Sequence, residues 1–290
     1  MQLIQDHIYF IEAPNRASFP HCHCLFIDDD VRVLLDTGCS RQQAEELALG
    51  GIDVVLNSHF HIDHILHDYL FPKAQVWVHN LDAPAVISRE VLLDCYGFFG
   101  EERAIGEAFV DDYNSLPSPV HRLLQGGEVL DFGKVKLLIV HTPGHTPGHC
   151  IFYHEKTGLV IMGDIELSGF GPWYANACCD LDDLITSIKK CMEIDPPRVV
   201  TSHKGIINDN IQKRLQDYLN VIYRKEANIF NALREPRTIE YLVERQLYYE
   251  RNIVLSPRDY FFEKMGVLKH LERLIKHREI VREGIWYYQA

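Results

Sequence analysis

Three histidines and an aspartate fall within six positions of this 290-residue chain, in Asn57-Ser58-His59-Phe60-His61-Ile62-Asp63-His64, directly after the apolar run 52–56. Imidazole nitrogen and carboxylate oxygen are the ligand types of zinc and related dications. His59 and His61 are two apart, so on an extended segment leaving a strand they point the same way. Asp63 and His64 come where the chain should turn into a helix, which aims them at a neighbouring point. One short segment can therefore serve two adjacent ions. As mere packing the cluster makes little sense, because buried imidazoles need hydrogen-bond partners and massed ones repel when protonated.

Three further pieces stand at the ends of predicted strands. Val140-His141-Thr142-Pro143-Gly144-His145-Thr146-Pro147-Gly148-His149 leaves one, Ile161-Met162-Gly163-Asp164 another, and Val200-Thr201-Ser202-His203 a third. Loops at one edge of the strands are where αβ folds place their sites. The strands read from β-branched and apolar runs at 7–11, 22–27, 31–35, 52–56 and 75–78, then at 128–130, 135–140, 150–153, 159–162 and 198–201. Ser40 caps a helix over 41–49 that Gly50-Gly51 ends. Leu181, Leu184, Ile185, Ile188 and Met192 recur at helical spacing behind Asp180, which predicts an amphipathic helix lying on a sheet.

Residues at about 83–121 interrupt the strand series with a helical insertion carrying Tyr96, Phe98, Phe99, Phe109 and Tyr113, either a pocket wall or a packed elaboration. A linking helix is expected over 208–234. After Pro236 come a helix over 238–244, a longer one over 257–276, and two short strands over 279–282 and 285–288. That order predicts a small winged-helix-like unit over 235–290.

With 47% apolar and 24% charged residues, the composition is that of a globular enzyme. A formal charge of −12 argues against a general nucleic-acid binder, since phosphate binding is driven by clustered Lys and Arg. From Glu235 onward about ten basic residues stand against nine acidic ones, so nearly all the excess acid lies in the first part. The eight cysteines form no regular framework, and a reducing cytoplasm is the expected compartment. No basic and apolar leader opens the sequence and no apolar run reaches membrane-spanning length, so neither export nor a membrane is expected.

Taken together, H-x-H-x-D-H at 59–64, T-P-G-H-T-P-G at 142–148, Gly163-Asp164 and the final His203 resemble the metallo-β-lactamase superfamily, especially its glyoxalase II-like hydrolase branch. Asp36-Thr37-Gly38 after Leu34-Leu35 matches the family's early D-T-G turn. The resemblance covers 1–207 and implies an α+β fold there, a four-layer αββα sandwich. It implies that His59, His61 and His145 hold one metal, that Asp63, His64 and His203 hold another, and that Asp164 bridges them. Two divalent ions, zinc with iron or manganese as alternatives, would then share an activated hydroxide, which Asp63 as the catalytic residue would fix.

The leading expectation is hydrolysis of an ester, thioester or lactone bond in a small molecule. A metallo-β-lactamase domain followed by a winged helix is similar to a group that includes a single-strand endoribonuclease, which is one alternative. A mononuclear iron thiol dioxygenase, which shares the hydrolase-like motif, is the other. An acidic catalytic part disfavours the nuclease, because a strand needs a positive track. The family's glutathione-binding segment is not recognisable here.

Three residues are expected against the substrate: His23 at the pocket mouth, and Trp173 and Tyr174 in the loop behind Asp164, where the Tyr174 hydroxyl could donate to the substrate carbonyl. Lys204, beside His203, either attracts an anionic substrate or is an ordinary surface lysine. His141 and His149 flank the third loop and either support the ligands or make structural hydrogen bonds. A small molecule is the expected partner, with a homodimer left open.

Overall fold

In the computed structural model, which describes residues 1–290, seven strands form a sheet in chain order. They are β1 (Gln2–Gln5), β2 (Ile8–Ile11), β3 (Cys24–Ile27), β4 (Val33–Leu35), β5 (Val54–Leu56), β6 (Gln75–His79) and β7 (Arg122–Leu124). The first four pair antiparallel, whereas β4 to β7 run parallel. Parallel pairing needs crossovers, supplied by α1 (Arg41–Gly50), by α2 (Ile62–Ile65), and by the insertion helices α3 (Ala83–Ile87), α4 (Arg89–Tyr96) and α5 (Arg103–Asp112). Ser40 caps α1 in a reciprocal capping box with Gln43.

The second sheet contains β8 (Val129–Asp131), β9 (Lys136–His141), β10 (Cys150–His154), β11 (Leu159–Ile161), β12 (Arg198–Thr201) and β13 (Gly205–Ile207), with α6 (Leu181–Ile194) between β11 and β12. Asp180 caps α6 by accepting the Asp182 and Asp183 amides.

Alternation along the strands decides the layers. Val54 and Leu56 of β5 face Phe152, Leu159 and Ile161 in a core of 20 buried residues between the sheets. Val55 points the other way, under α1, into a second cluster of 13. Ile151, Val160 and Val199 leave the outer face of the second sheet for a third cluster of 46. The result is the αββα sandwich expected for the metallo-β-lactamase fold.

The C-terminal part is α7 (Ile211–Ala232), α8 (Ile239–Glu244), α9 (Pro257–Lys276) and the hairpin of β14 (Ile280–Glu283) and β15 (Trp286–Gln289), the order of elements expected there. It shares the third cluster with α6 and the insertion: Phe261 of α9 stacks on Phe98 at 4.3 Å. Arg273 reaches Asp182 of α6 at 2.7 Å. No helix is long and apolar enough to cross a membrane. Strands β1, β7 and β13, absent from the sequence reading, all lie at sheet edges and have three or four residues, too few for a periodic signal.

Candidate metal centre

Each of the seven sequence-derived ligands lies at or just past the end of a strand, and the fold brings all seven to one point. His59 and His61 leave β5, Asp63 and His64 form the first turn of α2, His145 follows β9, Asp164 follows β11 and His203 follows β12. Ligating atoms of His59, His61, His145 and Asp164 lie within 4.8 Å of one another, as do those of Asp63, His64 and His203. Asp164 joins the two groups. Its Oδ2 faces His145 Nε2 at 3.2 Å and His59 Nε2 at 3.9 Å, while Oδ1 faces His64 Nε2 at 3.0 Å and His203 Nε2 at 3.4 Å. Asp63 Oδ2 sits 3.2 Å from His203 Nε2.

Hydrogen bonds on the far side of the rings set the tautomers. His64 Nδ1 donates to Asp36 Oδ2 at 2.8 Å, His145 Nδ1 to the Trp173 carbonyl at 2.8 Å, and His203 Nδ1 to the Ala17 carbonyl at 2.6 Å. A neutral ring that donates through Nδ1 presents a lone pair at Nε2, and all three Nε2 atoms point into the cluster. His64 Nε2 and Asp164 Oδ1 are buried and have no hydrogen-bond partner. Leaving such atoms unsatisfied costs about 1–3 kcal/mol each. A dication coordinated by them removes that penalty, so the residues present fit a metal site.

The electrostatics divide the rings into two pairs, and at His64 and His203 a bound cation would take the place of the ring proton. Burial, reinforced by neighbouring imidazoles, holds His59 and His61 well below the usual imidazole range, so they are neutral and able to ligate. Burial also opposes charge on His64 and His203, but the facing carboxylates, Asp164 first, outweigh it and hold both above that range. Asp164 is itself kept ionised by His64 and His203 against the effect of burial.

Several supporting residues had no clear signal of their own. Asp36, known from the sequence only as part of the D-T-G turn, also accepts the Ser58 amide and hydroxyl at 2.8 Å each. Asp82 is fully buried and ties two ligand loops together. Its Oδ2 accepts the Phe60 amide at 3.1 Å and the Thr146 hydroxyl at 2.7 Å, and Oδ1 accepts the Gly148 amide at 2.6 Å. Buried His149 accepts the Asp164 amide at Nε2, 3.1 Å away, which makes it the support for the bridging residue. Gly163 stands at φ +52°, and a Cβ there would meet His149 Nε2 at 2.7 Å, so glycine is required before Asp164. His141 instead bonds the Pro147 carbonyl and stacks on His79, away from the ligands.

A cavity of about 430 Å³ opens over the cluster. His61, Asp63, Asp164 and His203 are on its floor, Phe19, Tyr96, Phe109, Tyr113, Trp173, Tyr249 and Phe262 on its walls, and Arg16, Lys204 and Arg258 also line it. Trp173 is where the sequence placed it. Tyr174 is not: it is fully buried, and its hydroxyl lies 2.7 Å from His270 Nε2, facing away from the cavity. Consecutive loop residues point in different directions, and only one of this pair can face the pocket. His23 is also outside the lining. Its ring packs on Phe10 and its Nδ1 accepts the Ala13 amide at 3.0 Å.

With this geometry in view, the chain belongs to the metallo-β-lactamase superfamily, whose model matches residues 18–203. Among its relatives, the probable metallo-hydrolase YybB of Bacillus subtilis is 26% identical over 216 residues, covering 70% of this chain and 90% of that protein. Hydroxyacylglutathione hydrolase GloC of Haemophilus influenzae is 24% identical over 220 residues, covering 71% and 96% respectively. The crystal structure of the metallo-β-lactamase family protein TTHA1429 from Thermus thermophilus is alike with a TM-score of 0.79 at 21% identity, covering 99% of this chain and 100% of that one. That likeness of fold runs through the C-terminal helices, beyond the residues that the family model matches.

Proposed function

We propose that this chain hydrolyses an ester, thioester or lactone bond in a small molecule with the help of two divalent cations. The observation that carries the reading is the split orientation of Asp164, one oxygen toward His59 and His145 and the other toward His64 and His203. In this reading His59, His61 and His145 would hold one ion, Asp63, His64 and His203 would hold the other, and Asp164 would serve both groups. The nitrogen-rich donor set suits zinc and also accommodates iron or manganese. Bound cations of this kind activate a water and polarise a carbonyl.

The rest of the chemistry belongs to the chain. Asp63 reaches the cavity floor with a carboxylate that can take a proton from the attacking water. Tyr96 is kept protonated by burial and by Asp63, and its hydroxyl oxygen accepts the Ile62 amide at 3.2 Å. Its own proton is thereby left for an oxygen over the cluster, the role the sequence reading assigned to Tyr174. The aromatic walls offer apolar surface to the acyl part of a substrate. We read 235–290 as a winged-helix-like unit whose task is to build one of these walls, through Tyr249, Arg258 and Phe262.

The cavity volume falls in the range of about 300–1,000 Å³ typical of small-ligand pockets, which supports a small substrate over a nucleic-acid strand. The test is metal analysis of protein purified without added zinc, with turnover of acyl thioesters, esters, lactones and single-stranded RNA measured with and without chelator. Two ions per chain and chelator-sensitive acyl hydrolysis are expected. RNA cleavage without ester turnover, or one iron per chain with thiol oxidation, overturns the reading. Replacing Tyr96 by Phe should lower kcat by roughly 10²-fold with bound metal retained.

A further inference from the structure

The cavity mouth has a chemistry that neither the fold family nor the ligand set explains. Asn15, Arg16 and Ala17 follow one another at φ +52°, +55° and +52°, three non-glycine residues in the left-handed region. Such backbone persists only where its surroundings over-determine it, and it gathers at functional sites. Here the clamp is the site itself, since the Ala17 carbonyl accepts the Nδ1 proton of His203 at 2.6 Å. The strained loop therefore carries Arg16 to the same edge of the cavity as Lys204, the residue after His203. Both side chains are exposed, line the cavity and make no ion pair.

Charge in the lining makes the pair significant. Three basic residues (Arg16, Lys204, Arg258) stand against three acids (Asp63, Asp164, Glu166). Two of those acids are ligands that bound dications more than neutralise, which leaves the mouth positive. Arg258 is partly engaged, 3.4 Å from the Tyr113 hydroxyl and 3.9 Å from Asp112. The same cavity is lined by the apolar faces of Phe109, Trp173 and Phe262, with Phe19, three residues after Arg16, stacked on Phe109 at 5.7 Å.

We propose that the substrate is an amphipathic anion: an ester or thioester with a bulky, preferably aromatic, acyl group against that wall and a leaving group whose anionic end is held by Arg16 and Lys204. The assignment rests on the hydrolase reading above and narrows it. Water attacks the acyl carbon, the carbon–sulfur or carbon–oxygen bond breaks, and the leaving thiol or alcohol departs with a proton from that water, its anionic tail unchanged.

The test uses metal-loaded protein and two phenylacetyl thioesters, one of N-acetylcysteamine, which is neutral, and one of 3-mercaptopropionate, which is anionic. Calorimetric binding of the matching ketones, with CH2 in place of the scissile sulfur, is measured alongside. Wild type should favour the anionic member by roughly tenfold or more in kcat/KM and in Kd, as a charge-assisted contact implies. The preference should fall as salt rises. In the double variant R16A/K204A it should collapse toward unity, mainly through KM. Equal handling of both thioesters by wild type, or a preference that survives the double variant, overturns the assignment while leaving acyl hydrolysis intact. Selective binding of the anionic ketone without turnover of either thioester keeps the ligand class and sinks the hydrolase reading instead. A phosphate-terminated thiol in place of the mercaptopropionate distinguishes a phosphate-bearing leaving group from a carboxylate-bearing one.

Discussion

The two sides of the cavity are held by different physics. On the ligand side, polar contacts with little freedom fix the geometry. His59, His64, His145 and His203 each have a second hydrogen bond behind the ring, and Asp36 and Asp82 tie the loops that carry them. On the opposite side the wall is apolar and assembled from distant segments: Phe98 of the insertion on Phe261, Phe109 and Trp173 on Phe262. The ion pairs that cross this seam, Lys264 with Glu102 and Arg258 with Asp112, are one-third exposed or more and add little by themselves. The sides meet at His61, whose ring stacks on Tyr96 at 5.2 Å and whose Nε2 lacks a hydrogen-bond partner. Directional contacts set what the site can bind and activate, whereas apolar contacts set whether the cavity exists and what shape it has.

Four substitutions break or sharpen that division. The largest effect is expected from Asp164→Ala, which removes the oxygens shared by both groups. Turnover should fall by roughly 10³-fold or more, and mass-spectrometric metal analysis should find less than one ion per chain. Full activity in this variant would remove the bridge on which the proposed function stands. Next comes Phe261→Ala in the packing behind the wall, 3% exposed and stacked on Phe98. Chemical denaturation should show a loss of about 3–5 kcal/mol with metal stoichiometry unchanged in the folded protein. If metal is lost as well, the two sides are not separable.

Asp82→Ala should act in the opposite sense. It leaves the Phe60 and Gly148 amides and the Thr146 hydroxyl without their shared acceptor, and metal affinity measured against a chelating dye should weaken about 10–100-fold. A change in stability alone would make Asp82 a packing residue.

The smallest effect concerns Lys225 of α7, fully buried with its Nζ 3.7 Å from the Phe170 ring centre and 4.6 Å from that of Tyr248. Burial lowers its pKa to about 8. The unfolded chain holds this proton more tightly, with a pKa of about 10.4. The resulting penalty on the native state is therefore complete below pH 8 and fades as pH rises toward 10.4. Lys225→Met should flatten the rise of Tm across that window relative to wild type. An identical slope in the two proteins would show that burial leaves the proton affinity of this amine unchanged.

The convergence of His59, His61, Asp63, His64, His145, Asp164 and His203 was legible in the sequence because each stands within a few residues of a strand end. Strand direction is a local property, readable from apolar runs such as 52–56 and 198–201, and the chemistry of H-x-H-x-D-H needs no further context. The core faces were legible for the same reason, since alternation placed Val54 and Leu56 on one side and Val55 on the other. The outlying strands β1, β7 and β13 were not, being short and at sheet edges.

Tertiary structure alone decided the substrate side. Nothing local distinguishes Trp173 from Tyr174, and it is the packing of Tyr248 and His270 around Tyr174 that turns this side chain inward. Tyr96 becomes the residue over the ligands only because the insertion lays it on His61. Arg16 reaches the mouth only because a carbonyl 186 residues from His203 accepts that ligand's proton. Metal ligands are chosen by chemistry that one residue can carry, whereas a cavity is a relation between segments far apart in the chain, and no periodicity in the amino-acid order encodes where they will meet.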